Sequence, residues 1–193
     1  TYHQLLRRSA EVAVNLLGSK TDLHESHVAY LIPGGFDYVT VQWGIWRAGG
    51  VTVPLSLSAT EPELEYAITD SDAQRVITNA EFSAKLAPLC QRLGLPLTVV
   101  DEIPECESST LPTIAPNRRA MILYTSGTTN KPKGVVTTHA NVQAQIEALV
   151  TAWQWQDSDV IPLFLPLHHI HGIINVLSCA LWSGATVDTF RHF

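Results

Sequence analysis

Clustered positive charge is the first thing this sequence lacks. Its 12 Lys and Arg are scattered among 18 Asp and Glu, for a formal charge of −6. That excludes the basic footprint of a nucleic-acid-binding protein. Cysteine is scarce too. Cys90, Cys106 and Cys179 are odd in number and widely spaced, so they build no disulfide framework and no zinc pattern, which points to a reducing compartment. No apolar run approaches the ~20 residues that span a bilayer. The longest candidate, "GIINVLSCALWSGA", is shorter and contains Ser178 and Ser183, so no membrane partner is expected. No signal-peptide pattern is expected within these residues. The chain starts at Thr1 instead of Met. Both ends are therefore expected to be cut, and the expected compartment is the cytoplasm, with the mitochondrial matrix as the alternative.

What is present is a core. Of the 193 residues, 46% are hydrophobic, enough for one domain of usual size. Helical and strand periods alternate along it. Residues 2–17 read as a helix stopped by Gly18, "HVAYLIP" as a buried strand, and "FDYVTVQWGIWRAGG" as a helix closed by Gly49 and Gly50. "VTVPL" is a short strand. Thr60 and Glu63 have capping-box spacing, with Pro62 in the first turn of the next helix. "RVITN", a helix over 81–93 and "LTVVD" follow. Residues 102–117, rich in proline, read as an exposed connector. Beyond it lie strands 120–125 and 134–138, helix 140–153, strand 160–165, helix 172–182 and strand 185–190. This order predicts an α/β fold with a mainly parallel sheet covered by helices on both faces.

The chemistry concentrates in "YTSGTTNKPKG", residues 124–134, directly after an apolar strand. Gly127 lets backbone approach a ligand closely, and successive N–H groups in such a turn make a nest for anions. Thr125, Ser126, Thr128 and Thr129 add hydroxyl donors, and Lys133 adds charge. Pro132 holds Lys131 extended. This set suits a polyphosphate, although a Gly/Ser/Thr-rich surface hairpin has the same composition. A Walker loop is excluded, because Lys133 is followed by Gly134 and not by Ser or Thr. A second cluster, "PLHHIHG", holds His168, His169 and His171. Its spacing does not match a zinc site and no carboxylate or cysteine lies close by, so no metal is assigned; a polar turn after a strand is the plain alternative. Asp70, Asp72 and Asp101 read as element-end caps or solvated groups. Tyr66, Trp43 and Trp46 read as core, Trp153 and Trp155 as core or rim packing, and Thr138 as the cap of the helix near Asn141.

"YTSGTTNKPKGVVTTHAN" resembles the phosphate-binding signature of the adenylate-forming superfamily, which includes acyl-CoA synthetases, luciferases and nonribosomal adenylation domains. "WGIWRAGGVTVPLSLSATEPELEYAITDSDAQRVI" is similar to that family's second core motif, and "LPLHHIHGIIN" to the motif before its substrate pocket. The family usually has glycine where this chain has Asn130, a residue that tolerates left-handed backbone.

The resemblance implies that residues 1–193 are part of an N-terminal AMP-binding domain. It implies ATP and coenzyme A as co-substrates, with Mg2+ held by a carboxylate expected beyond Phe193. Thr125, Ser126, Gly127, Thr128, Thr129 and Lys133 would cradle phosphates. His169 would lie between the acyl carboxylate and the phosphates, and His171 and Gly172 would line the acyl pocket. The stretch from Ala152 is most similar to the malonyl-CoA and methylmalonyl-CoA synthetase branch. A short- or medium-chain acyl-CoA ligase, a nonribosomal adenylation domain and an inert nucleotide-binding piece are the alternatives.

Overall fold

The computed structural model describes residues 1–106, 110–125 and 131–190. Helix α1 (Tyr2–Leu17) starts at a capping box between Thr1 and Gln4 and ends at Gly18. Strand β1 (His27–Leu31), helix α2 (Phe36–Arg47), strand β2 (Val51–Pro54) and helix α3 (Glu61–Asp70) follow. The Thr60–Glu63 capping box and Pro62 open α3 as the spacing predicts. Strand β3 (Arg75–Thr78), helix α4 (Ala80–Leu93), strand β4 (Leu97–Val99), strand β5 (Arg119–Thr125) and strand β6 (Lys133–Thr138) complete one six-stranded sheet, ordered β4-β3-β1-β2-β5-β6. Helix α5 (His139–Trp153) is capped by Thr138, whose hydroxyl accepts from the Asn141 N–H.

β1 to β5 run parallel, as expected, while β6 returns antiparallel to β5 with Thr125 opposite Lys133. The reason is chain length. A parallel return needs a crossover of about a dozen residues or more, and the segment between Thr125 and Lys133 is too short. Side chains alternate across the sheet, so Met121 and Leu123 join α1 and α2 in one core while Ile122 joins α3 and α4 in the other. The helices thus cover both faces. The chain leaves β1 towards one face and β2 towards the other, the reversal at which open α/β sheets bind ligands.

The rest departs from expectation in two places. Strand β7 (Val160–Leu163) and strand β8 (Thr186–Thr189) pair with each other in a separate two-stranded parallel sheet. The expected helix 172–182 is instead a wide π-type helix over His171–Ser178, followed by a short α6 (Cys179–Trp182). The Ser178 hydroxyl donates to the Ile173 carbonyl at 2.7 Å, five residues back, which matches the wider winding. The connector is mostly exposed along its described residues, with one anchored point. Arg8 donates to the Val100 and Ile103 carbonyls, and Ile103 is buried. Among the described residues no helix is long and apolar enough to cross a membrane.

Two polar ties set the frame of the sheet. Arg118 makes two hydrogen bonds to Asp22, at 2.6 and 2.8 Å, and a third to the Gly49 carbonyl at 2.7 Å. That pairing draws the Asp22 carboxyl down to about 2. Gly49 has φ 83, and a Cβ there would lie 2.2 Å from the Asp22 carboxylate, so only glycine lets the turn pass this ion pair. The second tie is fully buried. The Tyr30 hydroxyl donates to the Tyr38 hydroxyl at 2.8 Å, and Tyr38 donates to the Leu167 carbonyl at 2.7 Å. Burial raises both phenols far above their usual range, so both stay protonated donors.

Replacing Tyr38 by Phe preserves shape but leaves the Leu167 carbonyl and the Tyr30 hydroxyl short of a partner. The expected loss is about 1–3 kcal/mol in urea unfolding, whereas an unchanged midpoint would show that the tie contributes nothing.

Candidate functional site

The carboxyl ends of β2 and β5 open onto a cavity of about 730 Å³, within the usual range for small-molecule sites. Its floor is the turn after β2, including Leu55, Ser56 and Ser58. Pro62, Glu63 and Tyr66 of α3 form one wall, Tyr124, Thr125, Lys131 and Pro132 another, and His168 and His169 the third. A smaller recess of about 260 Å³ adjoins it and shares Leu55, Ser56, Ser58 and His168. His168 therefore stands between the two.

The wall beside the loop is tightly tied. Tyr124 donates to the Asp70 carboxylate at 2.8 Å and to the Ala67 carbonyl at 3.2 Å. Tyr66 packs edge-on against Tyr124 with ring centres 6.1 Å apart, and its hydroxyl donates to the Pro132 carbonyl at 2.9 Å. The Lys131 ammonium lies 5.2 Å above the centre of the Tyr66 ring, within cation–π range. Glu63 is committed to its helix, accepting from the Thr60 N–H at 2.7 Å and the Thr60 hydroxyl at 2.8 Å.

The histidine turn is built by the Tyr38 tie to Leu167 and by the start of the π-helix. Gly172 is needed where that helix meets the turn, because a Cβ there would fall 2.5 Å from the Pro166 carbonyl oxygen. The His168 and His169 rings stack with centres 4.1 Å apart and a 48° tilt. Burial, with a smaller effect of His169's charge, lowers His168 to about 4, so it is a neutral imidazole near pH 7.

Of the residues the sequence singled out, Thr125 and His169 meet on one cavity. Ser126, Gly127, Thr128, Thr129 and Asn130 lie outside the described residues. Lys133 is exposed at the start of β6, opposite Thr125, and is not part of the cavity wall. His171 is exposed at the first turn of the π-helix, its Nδ1 3.2 Å from the Asn175 amide nitrogen, and neither it nor buried Gly172 lines the cavity. Tyr66, read as core, is a correction: it is half-buried on the wall. The sequence did carry a signal, since Pro62 and Tyr66 form their own i, i+4 stripe beside buried Leu64 and Ile68. Trp46 does pack on the core and donates to the Ala120 carbonyl at 2.7 Å. Trp153 is exposed, while Trp155 packs partly against the core. Asp101 accepts from the Ala80 N–H at 2.8 Å and so caps α4. Among the described residues no group of His, Cys, Asp or Glu could hold a metal ion.

The model of the AMP-binding enzyme family matches residues 1–193. This chain belongs to that family. It is 43% identical over 204 residues to the mitochondrial malonate–CoA ligase ACSF3 of Mus musculus, and 39% identical over 206 residues to that of Homo sapiens. Each match covers 100% of this chain and 35% of the relative, so the chain spans about a third of their length. Among solved structures, ATP-bound MatB from Rhodopseudomonas palustris superposes with a TM-score of 0.84 at 26% identity, over 100% of this chain and 40% of MatB. The α/β fold is thus that of an AMP-binding enzyme.

The lowered His168 gives a pH dependence with a definite sign. Between its folded value of about 4 and the unfolded value of about 6.5, the unfolded chain binds more protons, so stability falls as pH drops through that window. Above about 6.5 the contribution is complete. Urea midpoints measured from pH 7 to pH 4 are expected to fall less steeply for His168→Gln than for the natural protein; parallel curves would refute the assignment.

Proposed function

We propose that this chain is part of an ATP-dependent acyl-CoA synthetase that activates a small dicarboxylic acid, malonate or methylmalonate. The observation that carries the reading is the shared cavity, where the strand end bearing Thr125 meets His169 at the carboxyl edge of the sheet. The names of the relatives, malonate–CoA ligases in two mammals, favour the dicarboxylate. Their mitochondrial designation also favours the matrix over the cytoplasm.

The reaction has two steps. A carboxylate oxygen attacks the α-phosphorus of ATP, the bond to the β-phosphate oxygen breaks, and an acyl-adenylate and pyrophosphate result. The coenzyme A thiolate then attacks the acyl carbonyl, and AMP departs. Residues 125–129 would hold the departing pyrophosphate, and Lys133, just outside the cavity wall, would reach in to neutralise it, which is positioning and charge stabilisation. His169 would hydrogen-bond the attacking carboxylate, a role suited to an imidazole, whose ring nitrogens can donate or accept. Mg2+ would shield the phosphate charge.

Malonate-dependent pyrophosphate release is expected from the complete protein and not from residues 1–193 alone. Release that is absent from the complete protein, or that prefers a fatty acid, would overturn the substrate class. Lys133→Ala is expected to slow adenylation by roughly ten- to a hundredfold, the loss of about 1.5–3 kcal/mol from a charge-assisted hydrogen bond. The preferred acid should not change.

His171 tests the dicarboxylate directly. His171 lies off the cavity wall, so it would take part only if the acyl tail runs past His169 to the start of the π-helix, where N–H groups and the imidazole would donate to the second carboxylate. His171→Phe is expected to weaken use of malonate by about 1–3 kcal/mol while propionate loses little. Equal losses for the two acids would make His171 structural.

A further inference from the structure

Two lysines flank Pro132, and they differ in what they face. Both are exposed, but Lys133 begins a strand outside the cavity, whereas Lys131 lies on the cavity wall with its ammonium over the Tyr66 ring. The same tyrosine grips the backbone of that segment through its hydroxyl bond to the Pro132 carbonyl. Its ring is held in turn by Tyr124, which is pinned to α3 at Asp70 and Ala67. Tyr66 thus fixes both the path of this segment and the direction of its charge. The nearby carboxylates are occupied, Glu63 by the cap of α3 and Asp70 by Tyr124. Among the described residues, Lys131 is the lysine or arginine on this wall.

We propose that Lys131 contacts the polyphosphate of ATP in this crevice and that Tyr66 is its positioning residue. The proposal rests on the reading of the cavity as the ATP site. A lysine side chain has four rotatable bonds and much rotamer freedom to lose on binding. Seating it on an aromatic face restrains it beforehand, so less is lost when a phosphate oxygen takes its proton-bearing end. Lys131 is also one residue from the Tyr66-bound carbonyl of Pro132, so the ring places the cation at the loop's end and leaves the histidine wall untouched. The contact should therefore discriminate the terminal phosphates from the single phosphate of AMP.

The test is equilibrium binding of ATP and of AMP to the complete protein and its variants. Lys131→Ala should weaken ATP about tenfold, equivalent to about 1.4 kcal/mol, with AMP unchanged. Lys131→Arg, which keeps the charge and stacks on the ring, should bind ATP within about threefold of the natural protein. Tyr66→Ala should match Lys131→Ala, and the double variant should be no weaker than either, since both remove one unit. Should Tyr66→Ala fail to fold, Tyr66→Phe keeps the ring and is expected to lose about threefold for ATP alone through the Pro132 bond. ATP binding unaffected by Lys131→Ala, or equal losses for ATP and AMP, would overturn the proposal while leaving the ATP site standing. Additive losses in the double variant would overturn the role of Tyr66. A natural protein that binds no ATP would overturn both this proposal and the site reading.

Discussion

The hydrogen bond from Tyr38 to the Leu167 carbonyl, 2.7 Å long and fully buried, is the contact on which the site depends. It joins residues 129 positions apart and fastens the histidine turn to the frame of β1 and α2. The turn follows β7, which pairs with β8 and not with the main sheet. No shared ladder holds it in place. A buried donor cannot exchange its acceptor for water, so the geometry is kept by the cost of leaving either group unpaired. With Tyr30 donating to Tyr38 in turn, each tyrosine hydroxyl in the chain has a partner, and the third wall of the cavity stays where His168 and His169 line it.

The remaining walls follow from topology. Because the chain leaves β1 and β2 towards opposite faces, the strand ends are uncovered there and a crevice forms. The hairpin from β5 to β6 closes one side. Its antiparallel return brings Lys131 and Pro132 back beside α3, where Tyr66 and Tyr124 receive them. Packing of this kind makes the crevice a built feature of the fold and not a gap between loops.

Its electrostatics are arranged by commitment as much as by charge. Glu63 and Asp70 are acidic residues beside a region that would receive phosphates, yet each already accepts hydrogen bonds from its own surroundings. His168 is kept neutral by burial, so stacking against His169 sets no two charges face to face at neutral pH. What remains turned to the cavity is a cation, hydroxyl groups and an exposed imidazole, a set suited to anions.

Local chemistry made most of the fold legible. The capping box at Thr60, the cap at Thr138, the stop at Gly18 and the β-branched runs are short-range signals, and each marks a helix or strand found in the structure. The phosphate-type loop and the histidine turn were also visible, because their residue types carry chemistry wherever they fold. By itself, then, the sequence determined the α/β order of elements, the membership of the family's motifs and the candidate residues Thr125 and His169. Tertiary structure alone decided that Tyr66 leaves the core for the cavity wall, that Lys131 faces the cavity while Lys133 stands outside it, and that the expected helix at 172 widens into a π-helix. The physical reason is the same in each case. These outcomes depend on which face of an element meets which neighbour, across separations of 66 residues for Tyr66 and Pro132 and 129 for Tyr38 and Leu167, and no local period records such a meeting.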